Sequence, residues 1–96
     1  MAGKIKSEAE IRGILGQEFG MDGCGVQVVP KTGRSGGDLY LIEHIAVGRR
    51  ITLAGVERMV RRISRALDAE PYGTVNVDFF SLGGGTTFDM LAEARD

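Results

Sequence analysis

Two β-rich runs, Gly25 to Lys31 and Asp38 to Ile45, are separated only by Thr32-Gly33-Arg34-Ser35-Gly36-Gly37. That polar, glycine-rich connection is too short for a crossover helix, so the runs are expected to pair as an antiparallel hairpin. Glycines on both sides of the tip, which carries Lys31 and Arg34, favour a mobile loop. The remaining elements have to be arranged around this hairpin.

The first lies upstream. Ser7-Glu8-Ala9-Glu10 is a capping box, with the Ser7 hydroxyl accepting from the Glu10 N–H and the Glu10 carboxylate returning to Ser7. Ile11, Ile14, Leu15 and Phe19 then follow helical spacing to Gly20, a residue suited to the left-handed conformation that ends a helix. These signals predict a helix over 8–19. Downstream, Thr52 is a good N-cap, with Ile51 and Val56 spaced for a hydrophobic staple. From there Leu53, Val56, Val60, Ile63 and Leu67 alternate at spacings of three and four, which predicts a second helix over 53–69.

After the turn Pro71-Tyr72-Gly73, the residues Val75, Val77 and Phe79 alternate with Thr74, Asn76 and Asp78 as in a strand with one buried face. Ser81-Leu82-Gly83-Gly84-Gly85 would end that strand, and Thr86 or Thr87 would cap a short helix carrying Phe88, Met90 and Leu91. The expected fold is therefore an α+β two-layer sandwich of order α-β-β-α-β-α. Its helices lie on one face of a small, mainly antiparallel, three-stranded sheet. Ninety-six residues, 43% hydrophobic and 26% charged, suit one such domain over 1–96, with residues 1–6 expected to be disordered and 81–96 forming a glycine-rich hinge and the terminal helix.

Chemistry is sparse. Cys24 is the only cysteine, so no internal disulfide can form, and a reduced cytoplasm is the default expectation. No apolar run has the length of a signal peptide or membrane span. His44 and Cys24 each lack the companions that a zinc site or an activated thiol requires. Glu8 and Glu10 are accounted for by capping. No metal, cofactor or catalytic group is expected.

Charge, in contrast, is segregated. Residues 49–65 contain six arginines and one acid, Glu57, a net +5, whereas residues 66–96 carry −5. At about 100° per residue, Arg58, Arg61, Arg62 and Arg65 fall within a sector roughly 100° wide, opposite the apolar stripe of the second helix. Arginines on one rigid rod can follow a phosphate backbone through paired hydrogen bonds. Arg49, Arg50, Lys31 and Arg34 would extend that contact. Ordinary solvation of an exposed helix face is the plain alternative. A further alternative is self-association into a homo-oligomer, the basic helix of one copy meeting the acidic C-terminal third of another. Leu82-Gly83-Gly84-Gly85-Thr86-Thr87, a strand, glycines and a helix start, would also suit an anion, although no lysine precedes the threonines as in a Walker loop.

Several stretches resemble the N-terminal domain of the bacterial ribosome maturation factor RimP family. They are the first helix running into Gly25-Val26-Gln27-Val28-Val29, the strand Leu39-Tyr40-Leu41-Ile42, Ile51-Thr52-Leu53 leading to Val60-Arg61-Arg62-Ile63-Ser64, and Leu67-Asp68 before the last strand. The similarity covers about residues 8–80. Beyond it, Phe80-Ser81-Leu82-Gly83-Gly84-Gly85 stands where the family has Ser-Ser-Pro-Gly, and the family's C-terminal small barrel has no counterpart in these residues. The resemblance implies a non-enzymatic module that binds ribosomal RNA or a ribosomal protein.

Overall fold

The computed structural model of the chain describes residues 5–21, 23–30, 38–73 and 75–95. The elements are α1 (Glu8–Phe19), β1 (Gly25–Val29), β2 (Leu39–Val47), α2 (Leu53–Ala66), β3 (Ala69–Pro71), β4 (Asn76–Asp78), a 3-10 turn (Leu82–Gly84) and β5 (Thr86–Ala94). The fold is α+β, with both helices packed on one face of an antiparallel sheet.

Local sequence accounts for much of this. α1 has the capping box, with both reciprocal hydrogen bonds between Ser7 and Glu10, and ends on Gly20 at φ 66. Thr52 caps α2 by accepting the Gly55 N–H at 3.1 Å. β1 and β2 form the hairpin, with Val26 opposite Ile42 and Val28 opposite Tyr40. Lys31 and Arg34 at its tip lie outside the described residues.

The main correction concerns residues 86–94, which form a nine-residue strand in the place of the expected terminal helix. β5 is central: β2 pairs along one of its edges, while β3 and β4 follow one another along the other. The sheet thus has five strands, not three, and the element order after α2 differs from that expected. The reason lies in burial. Thr86, Phe88, Met90, Ala92 and Ala94 alternate into the core, which overrides the good helix propensity of Met90-Leu91-Ala92-Glu93-Ala94. Ala92 lies opposite Tyr40, so a small residue sits beside a large one beneath the helices.

Two smaller differences follow from backbone conformation. α2 stops at Ala66, short of residue 69, because Asp68 takes φ 52 and its N–H bonds back to the Arg65 carbonyl at 3.1 Å. Asp is one of the few residues that tolerate this left-handed region, so it ends the helix without a glycine. The strand expected over 74–80 contracts to Asn76–Asp78, on the exposed edge of β5.

β2 contains a bulge. Ile42 pairs with Met90 and Ile45 with Phe88, so Glu43 and His44 together oppose Asp89. His44 has φ 60, and its N–H donates to Asp89 Oδ1 at 2.9 Å. The extra residue returns Ile45 to the core side, where Ile42 and Ile45 are both fully buried. The core also takes Ile11 and Leu15 from α1 and Val56, Val60 and Ile63 from α2.

The glycine run before β5 is a turn followed by a close approach. Gly83 and Gly84 have φ 83 and 79, a region that favours glycine. Gly85 is extended and buried, and a Cβ built on it would overlap the Val47 carbonyl oxygen. Gly85→Ala is therefore expected to lower stability by about 1–3 kcal/mol, since two backbones would have to separate. Urea denaturation with an unchanged midpoint would contradict this. Because a strand follows the run, the helix N-terminus that an anion-binding loop would need is not there. No described helix is long and apolar enough to cross a membrane.

Candidate nucleic-acid interface

α2 buries Val56, Val60, Ile63 and Ser64, the last with its hydroxyl donating to the Val60 carbonyl at 2.7 Å. Leu53 shares the phase of this stripe but is 55% exposed, because it stands in the first turn, ahead of the part of the helix that reaches the core. Arg58, Arg61, Arg62 and Arg65 are all exposed on the opposite side. No carboxylate among the described residues forms an ion pair with any of the four. The described pairs are Arg12 with Glu8, at 3.9 Å, and Arg95 with Glu70, at 3.3 Å.

The four arginines do not form one uniform patch. Arg61 lines one groove with Glu57 and another, shared with Arg65, with Glu70. Arg62 and Arg65 border a third groove together with Glu18. In each of these a carboxylate residue is part of the lining and offsets some of the positive charge, although none is close enough to form an ion pair with Arg61, Arg62 or Arg65. The groove at the start of α2 is different: about 350 Å³ in volume, it is lined by Arg49, Arg58 and Arg62 with Thr52, Gly55 and Met59, and no acid among the described residues borders it. Arg49 comes from the loop before the helix, whereas Arg58 and Arg62 are one helical turn apart, so the three approach from two directions.

Such a groove has the electrostatics of an anion site. Guanidinium groups stay charged at all relevant pH and present several N–H donors in a plane, which suits the paired oxygens of a phosphate. Arg62 is held in part by Phe19 of α1, its guanidinium lying 5.7 Å from the ring centroid. A cation over a ring face keeps its in-plane donors available. The positive end of the α2 dipole adds modestly to the same field.

Arg50 is turned elsewhere. Its Nε–H donates to the Phe79 carbonyl at 3.2 Å, and its guanidinium covers the Phe80 ring at 4.8 Å from the centroid. The sequence therefore groups Arg49 and Arg50, but the structure separates them, sending one to the groove and the other to the loop after β4. Cys24 is half-buried against the core, and His44 is exposed at the bulge. Among the described residues no cluster of three or more His, Cys, Asp or Glu side chains could hold a metal ion.

On the far face of the sheet, away from the helices, Val29, Leu39, Leu41 and Leu91 form an apolar strip flanked by Glu43, Asp89 and Glu93. No described element packs on it. The acidic C-terminal segment thus becomes the acidic side of the central strand, opposite the basic helix layer. Sequence reasoning missed both this sidedness and the joining of Arg49 to Arg58 and Arg62, because each depends on the path of β5 and of the loop 48–52. Comparison with protein families, curated proteins and solved structures finds no match for this chain.

Proposed function

We propose that this domain is a non-enzymatic, ribosome-associated RNA-binding module whose phosphate site is the groove between Arg49, Arg58 and Arg62. The observation that carries the reading is that no carboxylate among the described residues lines that groove, whereas the three arginine-lined grooves described above each contain one. Arg61 and Arg65 continue the same helix face and would give secondary contacts. The resemblance of residues 8–80 to the RimP N-terminal domain favours RNA over other polyanions. Each phosphate neutralised releases counterions, so binding should weaken with salt. With three arginines engaged, affinity for a labelled RNA oligomer should fall at least about 20-fold between roughly 50 and 200 mM salt. Fluorescence anisotropy measures this directly, and an absence of binding at the lower salt concentration would exclude the proposal.

A second reading is favoured by the opposed faces of the molecule. The arginine face of one copy could meet the acidic and apolar strip of another in a head-to-tail contact, which builds rings or open chains. Light scattering should then give a mass that rises with protein concentration at low ionic strength and returns to that of the monomer near roughly 0.5 M salt, where charges are screened. A monomer under all conditions would remove this reading and leave the first intact.

A further inference from the structure

Phe80 is 77% exposed, more than any other large apolar side chain described. A single exposed phenylalanine would mean little. Phe80, however, is held in place: its N–H donates to Asp78 Oδ1 at 2.9 Å, and the carbonyl of its neighbour Phe79 accepts from Arg50. The Arg50 guanidinium also covers one face of the ring. At this exposure the other face is open to solvent. The ring is thus presented on a turn tied at two points, and Arg50, which ties it, directly follows Arg49 of the basic groove.

Arg49 and Arg50 are consecutive and face different ways, so a strand of several nucleotides could reach both the groove and the ring. An exposed ring near a phosphate site is a means by which proteins bind unpaired nucleotides, because every base has a face that stacks and only an unstacked base can offer it. A duplex keeps its bases stacked on one another and would leave Phe80 without a partner. We infer that the nucleic acid bound by this face is single-stranded, and that Phe80, backed by Arg50, is the platform on which one base stacks while the backbone lies in the Arg49–Arg58–Arg62 groove. This inference rests on the phosphate-binding reading of that groove and adds to it the class of ligand and a residue that selects it. Stacking is more extensive for purines, so an adenine oligomer should bind more tightly than a uracil oligomer.

The test compares the unchanged protein with Phe80→Ala and Phe80→Trp, using fluorescence anisotropy with a labelled single-stranded oligoadenylate, an abasic ribose-phosphate oligomer of the same length and an RNA duplex. Phe80→Ala should weaken binding to oligoadenylate about ten-fold, should leave binding to the abasic oligomer unchanged, and should be rescued by Phe80→Trp. The unchanged protein should prefer the single strand to the duplex. Equal affinity of the unchanged protein and Phe80→Ala for oligoadenylate would overturn the inference while leaving the phosphate site standing. Failure of the unchanged protein to bind any of the three would overturn both.

Discussion

Truncating Phe88 to alanine is expected to destabilise the domain by about 3–5 kcal/mol, the usual cost of removing a buried aromatic ring and leaving a cavity. Phe88 is 1% exposed, is the third residue of the central strand, and is flanked by Ile45 on β2 and Val77 on β4. Neighbours on both edges are fixed by the ladder and cannot collapse into the gap. For a domain of this length the total stability is about 5–14 kcal/mol, so the variant would lose a large part of it. Its thermal midpoint should fall by at least about 12 °C. Phe80→Ala provides the contrast, because its ring is already in solvent and its removal should change stability by less than about 0.5 kcal/mol. Comparable losses for the two phenylalanines would argue against a central β5.

Reversing two charges in the groove, Arg58→Glu with Arg62→Glu, should reduce RNA affinity at least about 100-fold at low salt. Hydrogen bonds to charged groups are each worth about 1.5–3 kcal/mol, and two are lost together. The new carboxylates would also repel the phosphates. Both positions are exposed on the outer side of α2, so folding should be preserved and the circular dichroism spectrum unchanged. Reversal of Arg12, which sits on α1 and pairs with Glu8, makes half of that change in net charge away from the groove and should alter affinity less than about three-fold, since exposed pairs contribute little.

The parts of this fold legible in the sequence were those governed by contacts near in the chain. The capping box at Ser7, the left-handed Gly20, the Thr52 cap and the short hairpin connection each act within a few residues, and each has the expected consequence. The stripe Val56, Val60 and Ile63 was equally clear, since a helix repeats its own geometry. Residues 86–94 were not legible in the same way. Met90, Leu91, Ala92, Glu93 and Ala94 favour a helix locally, and only β2, β3 and β4 on both sides make the strand the better choice. The bulge at Glu43 and His44 was hidden for a similar reason: it adjusts β2 to a partner that lies 45 residues further along the chain.

The site divides along the same line. That Arg58, Arg61, Arg62 and Arg65 share one outer face followed from helical periodicity alone. Their unequal surroundings did so only for Glu57, which is four residues before Arg61 on the same helix, whereas Glu18, Glu70 and Arg49 reach those grooves through packing. Phe80 had left a trace. On the strand phase expected from Val75, Val77 and Phe79 the next residue, also aromatic, would point outward; in the structure the strand ends at Asp78 and Phe80 is exposed on the turn that follows.

The dependence of RNA affinity on salt, measured for the unchanged protein and for Arg58→Glu/Arg62→Glu, is the most direct test of the phosphate site. If Arg49, Arg58 and Arg62 each neutralise one phosphate, a plot of log affinity against log salt should have a slope of about −2 for the unchanged protein and about −0.7 for the variant. The same slope for both proteins would show that the phosphates lie elsewhere and would contradict the assignment of this groove.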